Sequence, residues 1–133
     1  DRERGRRTPL YEAAVRGNLM SAQLLLDGGA DPDLPASNGT TPLMAAAASG
    51  DPRILHLLLA RGAVLDKLHP ASGATAFHLA CFRNEHECAA ALARAGCDVT
   101  LENLEGQTGR QVRVGFGRIV ALHYCSSTLY QIH

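Results

Sequence analysis

The fold this sequence predicts is all-α: a solenoid of stacked helix-turn-helix units carrying extended, β-hairpin-like loops. Two sets of observations predict it. First, Thr8-Pro9-Leu10-Tyr11 recurs as Thr41-Pro42-Leu43-Met44 and again as Thr75-Ala76-Phe77-His78, with a fainter start at Thr108, so the beat is 33, 34 and 33 residues. Second, independent markers keep that beat. Gly17 and Gly50 are followed by Asn84 and Gly117, and Leu24-Leu25-Leu26 by Leu57-Leu58-Leu59 and Ala91-Leu92-Ala93. Gly29-Ala30 returns as Gly62-Ala63 and Gly96-Cys97, and Gly39, Gly73 and Gly106 each stand two residues before the repeated threonine.

The second unit shows each element most clearly. Thr41 is suited to cap a helix, and Pro42 falls at the first helical position, where a missing N–H costs nothing. Leu43 to Ser49 is about two turns, ended by Gly50; Asp51-Pro52 repeats the cap-plus-proline device. A second helix from Pro52 to roughly Arg61 carries Ile54, Leu55, Leu57, Leu58 and Leu59 as a broad apolar face. Gly62 supplies a left-handed C-terminal turn, and Ala63 to Gly73, with no helical period, reads as an extended loop or hairpin. The first helix is alanine-rich (Ala45 to Ala48), which lets neighbouring units approach closely. A single helix pair cannot cover its own apolar face, so the units must stack. One domain over residues 1–133 is expected, with units at about 4–36, 37–69, 70–103 and 104–126 and a tail at 127–133.

The bulk numbers fit this. Hydrophobic residues make up 46% of the chain, enough for a folded core. Lys plus Arg and Asp plus Glu number 13 each, a balance that argues against general affinity for nucleic acid or for an anionic membrane. There is no apolar stretch of bilayer length. The start, Asp1 to Arg7, is not a signal peptide; one reading is the cut edge of a larger protein. Cys81, Cys88, Cys97 and Cys125 read most simply as reduced thiols of an intracellular protein, cytoplasmic or nuclear.

Taken together, these motifs resemble the ankyrin repeat, whose pattern is Gly-x-Thr-Pro-Leu-His-x-Ala-Ala, a glycine between the helices, a leucine triplet and Gly-Ala-Asp. Gly39 to Ala63 and Thr8 to Asp31 follow it closely, and the resemblance extends over about residues 4 to 125. Tyr11 and Met44 replace the family histidine, kept only at His78, so the inter-unit hydrogen-bond network of that histidine is expected to be thin. The third unit has Ala76 for proline and Asn84 for glycine, and one extra residue in the loop Leu68 to Ser72, which would displace one finger. Asn tolerates the left-handed conformation. The fourth unit lacks Pro and Leu at Gly109 and Arg110 but keeps an apolar helical face in Ile119, Val120, Leu122, Tyr124 and Cys125; a terminal cap is expected to depart in this way. The apolar tail Leu129, Tyr130, Ile132 either packs back or continues onward.

The resemblance implies a cupped shape in which hairpin tips and first helices line a concave, protein-binding face and second helices form the back. Mapped onto this chain, the partner-binding candidates are Arg7, Val15, Arg16, Asn38, Ser49, Ser72, Phe82, Arg83, Leu104, Glu105 and Phe116. Arg and aromatic side chains are common interface anchors. They point to a partner peptide or loop with acidic and apolar residues. The plainer alternative is that Phe82 packs on the neighbouring helix and the arginines are simply solvated.

Other chemistry is weaker. His78-x-x-Cys81 and His86-x-Cys88 lack the paired spacing of zinc sites, and no orienting group completes a Cys–His nucleophile. The arginine cluster from Arg2 to Arg7 is interrupted by Glu3 and reads as a solvated terminus rather than a nuclear signal. No cofactor, metal, nucleic acid or membrane is expected, and the array alone is expected to be monomeric and non-catalytic. The competing roles are a binding adaptor, the substrate-recognition arm of a ubiquitin ligase and a regulatory domain of a larger enzyme. Ser126 to His133 is too short for an adaptor-binding box. A consensus-designed binder is disfavoured by His69, Cys81 and Tyr130.

Overall fold

Thr8, Thr41 and Thr75 each stand immediately before a helix with extended backbone and an oxygen turned back onto it. Thr8 Oγ1 accepts from the Tyr11 N–H at 3.0 Å, Thr41 Oγ1 from Met44 at 3.2 Å and Thr75 Oγ1 from His78 at 3.3 Å. Each bond satisfies one of the donors a helix start leaves orphaned. The computed structural model of the chain, which describes residues 8–111, shows three helix pairs. They are α1 (Pro9–Arg16) with α2 (Leu19–Asp27), α3 (Pro42–Ser49) with α4 (Pro52–Ala60), and α5 (Ala76–Phe82) with α6 (His86–Arg94). A 3₁₀ turn, Gly109–Gln111, follows, and no strand occurs among the described residues. The fold is the predicted all-α solenoid. The expected helical face of the fourth unit, Ile119 to Cys125, and the apolar tail lie outside the described residues.

The turn between paired helices requires left-handed backbone. Gly50 has φ +80°, and Asn84, standing in for the glycine, has φ +61°. The Gly50 site is also tight, because a Cβ there would strike the Glu85 carboxylate of the next unit. Glu85 caps α6 by position but makes no side-chain cap bond, whereas Asp51 Oδ1 accepts from Arg53 N and Ile54 N at the start of α4.

First helices stack in the order α1, α3, α5 and second helices in the order α2, α4, α6. Alanines make the close approach of the first row possible: Ala14, Ala46, Ala47 and Ala80 are fully buried. The large apolar interior lies between the rows, at Leu43, Ile54, Leu55, Leu58, Phe77 and Leu92. Of the five residues expected to form the apolar face of α4, Ile54, Leu55 and Leu58 are buried and Leu57 and Leu59 pack half-buried at its margin.

Polar links repeat along the stack. The Val64 N–H donates to Asp33 Oδ1 at 2.7 Å, and one unit later the Asp98 N–H donates to Asp66 Oδ1 at 2.9 Å. Arg61 pairs with Asp27, and Ser49 Oγ donates to the Ala14 carbonyl at 3.2 Å. The fingers are closed by Ala36 N–H to Thr40 O, His69 N–H to Ala74 O and Asn103 N–H to Gln107 O. The middle closure encloses one residue more than the other two, which is where the extra residue of the third unit goes. The lengthened turn still links to its neighbours: His69 Nε2 meets Thr40 Oγ1 at 3.2 Å, and the Leu104 N–H donates to Ser72 O at 2.8 Å.

The histidine network runs through one residue, as its two replacements imply, but it is well connected there. His78 Nδ1 accepts from the Thr75 N–H at 3.1 Å, which leaves Nε2 to carry the proton and donate to Gln107 O at 2.8 Å. Burial pulls the His78 imidazole below its ordinary 6.5, opposed by the bond to Gln107. The folded state therefore favours the neutral ring. Its contribution is fully present above pH 6.5 and is lost as pH falls through the lower folded value. Urea unfolding of wild type beside His78→Gln is expected to show a wild-type loss of stability on acidification below pH 6.5 that the variant lacks in part. Parallel pH profiles would show that His78 is not the titrating group.

Candidate functional site: a concave trough across three units

The concave side is built from the first helices and the fingers. α1 contributes Tyr11 and Val15, α3 contributes Met44, Ala45, Ala48 and Ser49, and α5 contributes Leu79 and Arg83. Thr40, His69 and Ser72 of the fingers close the other wall, and the hollow has a volume of about 420 Å³. Residues three or four apart on a helix share a face, which brings Tyr11 with Val15, Met44 with Ala48, and Leu79 with Arg83 to one side. Ala45 and Ala48 of α3 give the central unit short side chains in the lining.

A second hollow of about 270 Å³ lies beside it, between α5 and the finger of the fourth unit, Asn103 to Gln107, called the fourth finger. His78, Leu79 and Phe82 form its helical side, and Ser72, Ala74, Asn103, Glu105 and Gln107 its rim. Leu79 and Ser72 belong to both hollows. Phe82 keeps 52% of its surface exposed, so it is not packed away against a neighbouring helix.

The residues expected from the sequence are distributed as follows. Val15, Ser49, Ser72 and Arg83 line the first hollow, and Ser72, Phe82 and Glu105 the second. Arg16 lies in a cleft beside Gly17 and Asp51 and pairs with Glu12 at 3.4 Å. Asn38 shapes its own turn, with Oδ1 accepting from the Thr40 N–H at 3.0 Å. Leu104 stands out from the fourth finger, 74% exposed, and lines neither hollow. Arg7 and Phe116 lie outside the described residues. Sequence reasoning did not single out Tyr11, Met44, Ala45, His69 and Leu79. The available signal was helical spacing, since Leu79 stands four residues before Arg83 and Tyr11 four before Val15.

The buried thiols belong to the core. Cys88 is fully buried, and its thiol is pushed up to about 12 by burial first and then by the charges of Glu85, Asp51 and Glu87. Such a group stays protonated and is a poor nucleophile at neutral pH. Among the described residues no group of three or more His, Cys, Asp or Glu is placed to hold a metal ion. No helix among them is long and apolar enough to cross a membrane.

The family profile described as ankyrin repeats (3 copies) matches residues 10–103. The chain belongs to the ankyrin-repeat family. It is similar to ankyrin repeat domain-containing protein 63 of Homo sapiens, 40% identical over 94 residues, which is 68% of this chain and 24% of that protein. It is similar to protein PhlB of Serratia liquefaciens, 38% identical over 109 residues, 80% of this chain and 48% of that one. It is also similar to the E3 ubiquitin-protein ligase KEG of Arabidopsis thaliana, 32% identical over 101 residues, 74% of this chain and 6% of the ligase. The chain thus spans less than half the length of each of these relatives. Ankyrin repeats are protein–protein interaction modules, and the ankyrin units here carry their finger and first-helix residues on the face that holds the trough.

Proposed function

We propose that this ankyrin array is a non-catalytic adaptor module that holds a peptide or loop of another protein in its concave trough. The observation that carries the reading is the exposed, partly apolar hollow to which three successive units contribute, bordered by Phe82 and Arg83. Anchors of that type on a rigid scaffold give affinity without a large ordering cost. Residues Val15, Ser49, Ser72, Phe82, Arg83 and Glu105 are the proposed contacts, with Arg16 at one end. An intracellular site, cytoplasmic or nuclear, fits a fully buried thiol such as Cys88.

The similarity to a ubiquitin ligase favours one specific version, in which the array is a substrate-recognition arm. A regulatory domain of a larger enzyme would use the same face.

Affinity capture from cell lysate tests the proposal, with three baits compared: wild type, Val15→Asp/Phe82→Ala/Arg83→Glu on the concave side, and His56→Ser on the exposed side of α4. Circular dichroism and thermal melting establish that all three are folded. The expected result is one protein captured by wild type and His56→Ser and lost by the triple variant. Equal capture by all three would move the interface off this face. Ubiquitin-transfer components in the specific fraction would select the recognition-arm version.

A further inference from the structure

Helix α5 splits the concave face into two hollows of opposite charge. Leu79 and Arg83, four residues apart, face the first two units; His78 and Phe82, also four apart, face the fourth finger. Leu79 is the ridge between them. The first hollow is lined by the Arg83 guanidinium and by no carboxylate, and the second by the Glu105 carboxylate and by no lysine or arginine.

Of the described arginines three are paired and Arg83, Arg94 and Arg110 are not; Arg83 is the unpaired one that lines a hollow. Arg16 pairs with Glu12, Arg53 with Asp51 and Arg61 with Asp27. Arg83 and Glu105 have no ion-pair partner among the described residues, although each stands beside apolar surface. An unneutralised cation and anion on opposite sides of an apolar ridge form a fixed polarity. Its complement is a ligand with the reverse polarity and an apolar group between its charges.

We infer that the occupant of the trough is an extended peptide segment whose carboxylate meets Arg83 and whose basic side chain meets Glu105, with an apolar side chain over Leu79 and Phe82. The inference rests on the concave-face reading and adds the partner's chemistry to it. Glu105 disfavours a nucleic acid or an anionic membrane, which would meet Arg83 but be repelled one step along. Exposed charge pairs contribute more to register and partner choice than to affinity. The expected signature is therefore an ordered charge pattern in the ligand.

The test uses a phage-displayed random dodecapeptide library selected on wild type and on Arg83→Glu/Glu105→Arg, with fold checked by circular dichroism. Enriched peptides are then synthesised and titrated by fluorescence anisotropy. Wild type is expected to enrich an acidic and a basic residue in one order, flanking an apolar residue. The double variant is expected to enrich the opposite order. Each single reversal should weaken the wild-type peptide by about tenfold, and a charge-swapped peptide should recover on the double variant. Ala48→Arg, which fills the first hollow, separates the two levels of the argument. Peptides that lose binding to Ala48→Arg but show no charge order overturn the polarity and leave the concave-face reading standing. No enrichment, or peptides indifferent to Ala48→Arg, overturns both.

Discussion

Leu58→Ala is expected to lower the unfolding free energy by about 2–5 kcal/mol, the range for removing a buried leucine and leaving a cavity behind. Leu58 has no exposed surface and lies on α4, which packs between α2 and α6. It occupies the position that Leu25 holds in the first unit and Leu92 in the third. In a repeat array each unit is stabilised mainly by its neighbours, so a defect in the central unit weakens two interfaces at once. A domain of this size has about 5–15 kcal/mol in total, so the loss is a large fraction of it. The control is Leu24→Ala, in the same leucine triplet pattern but 64% exposed, with an expected change within about 0.5 kcal/mol. Urea unfolding followed by circular dichroism measures both. Similar losses for the two would mean that the inward-facing register of the second helices is wrong.

The leucine triplets look alike in sequence, and the structure separates their members. Local devices were legible because each is complete within a few residues. Thr41-Pro42 announces a helix start, Gly50 and Asn84 announce left-handed turns, and Asp51-Pro52 announces the next helix; each does what its chemistry implies. The burial of Cys81 was readable as well, because it stands where Ala14 and Ala47 stand in the earlier units, and that of Cys88 from its place on the inner face of the second helix. What periodicity did not carry is the offset of one unit on the next. That offset brings the Ser49 hydroxyl to the Ala14 carbonyl, Asp33 to the Val64 amide and His69 to Thr40. It also makes Leu79 the ridge between two hollows, whereas Asn38 and Leu104, sound candidates by position, stand apart from both. A repeat pattern assigns a residue to a face, but the neighbours across a face depend on three-dimensional stacking.

The same offset accounts for the fourth unit's missing proline and supports a second large effect. Gly109 occupies the place of Pro9 and Pro42, and it is buried against the ring of Phe77, which itself replaces Leu10 and Leu43 of the earlier units. A Cβ at Gly109 would lie 2.5 Å from Cδ2 and 2.6 Å from Cε2 of Phe77, distances that real contacts do not reach. The ring is buried and cannot swing clear, so the two departures from the pattern are one adjustment: a larger core residue in the third unit needs a bare backbone in the fourth. Gly109→Ala is then an overpacking substitution and is expected to cost about 1–3 kcal/mol. Phe77→Leu leaves a modest void and is expected to cost about 1 kcal/mol. In the double variant the alanine methyl enters the space the ring has left, and alanine also favours helical backbone over glycine by roughly 0.5–1 kcal/mol. The two substitutions should therefore couple favourably by about 1–3 kcal/mol, the size found for residues in direct contact. Urea unfolding of wild type, both single variants and the double variant closes the cycle. Costs that add within about 0.5 kcal/mol would show that Phe77 does not exclude a side chain at Gly109. Strong coupling would show that this end of the array departs from the repeat pattern to fit the unit beneath it.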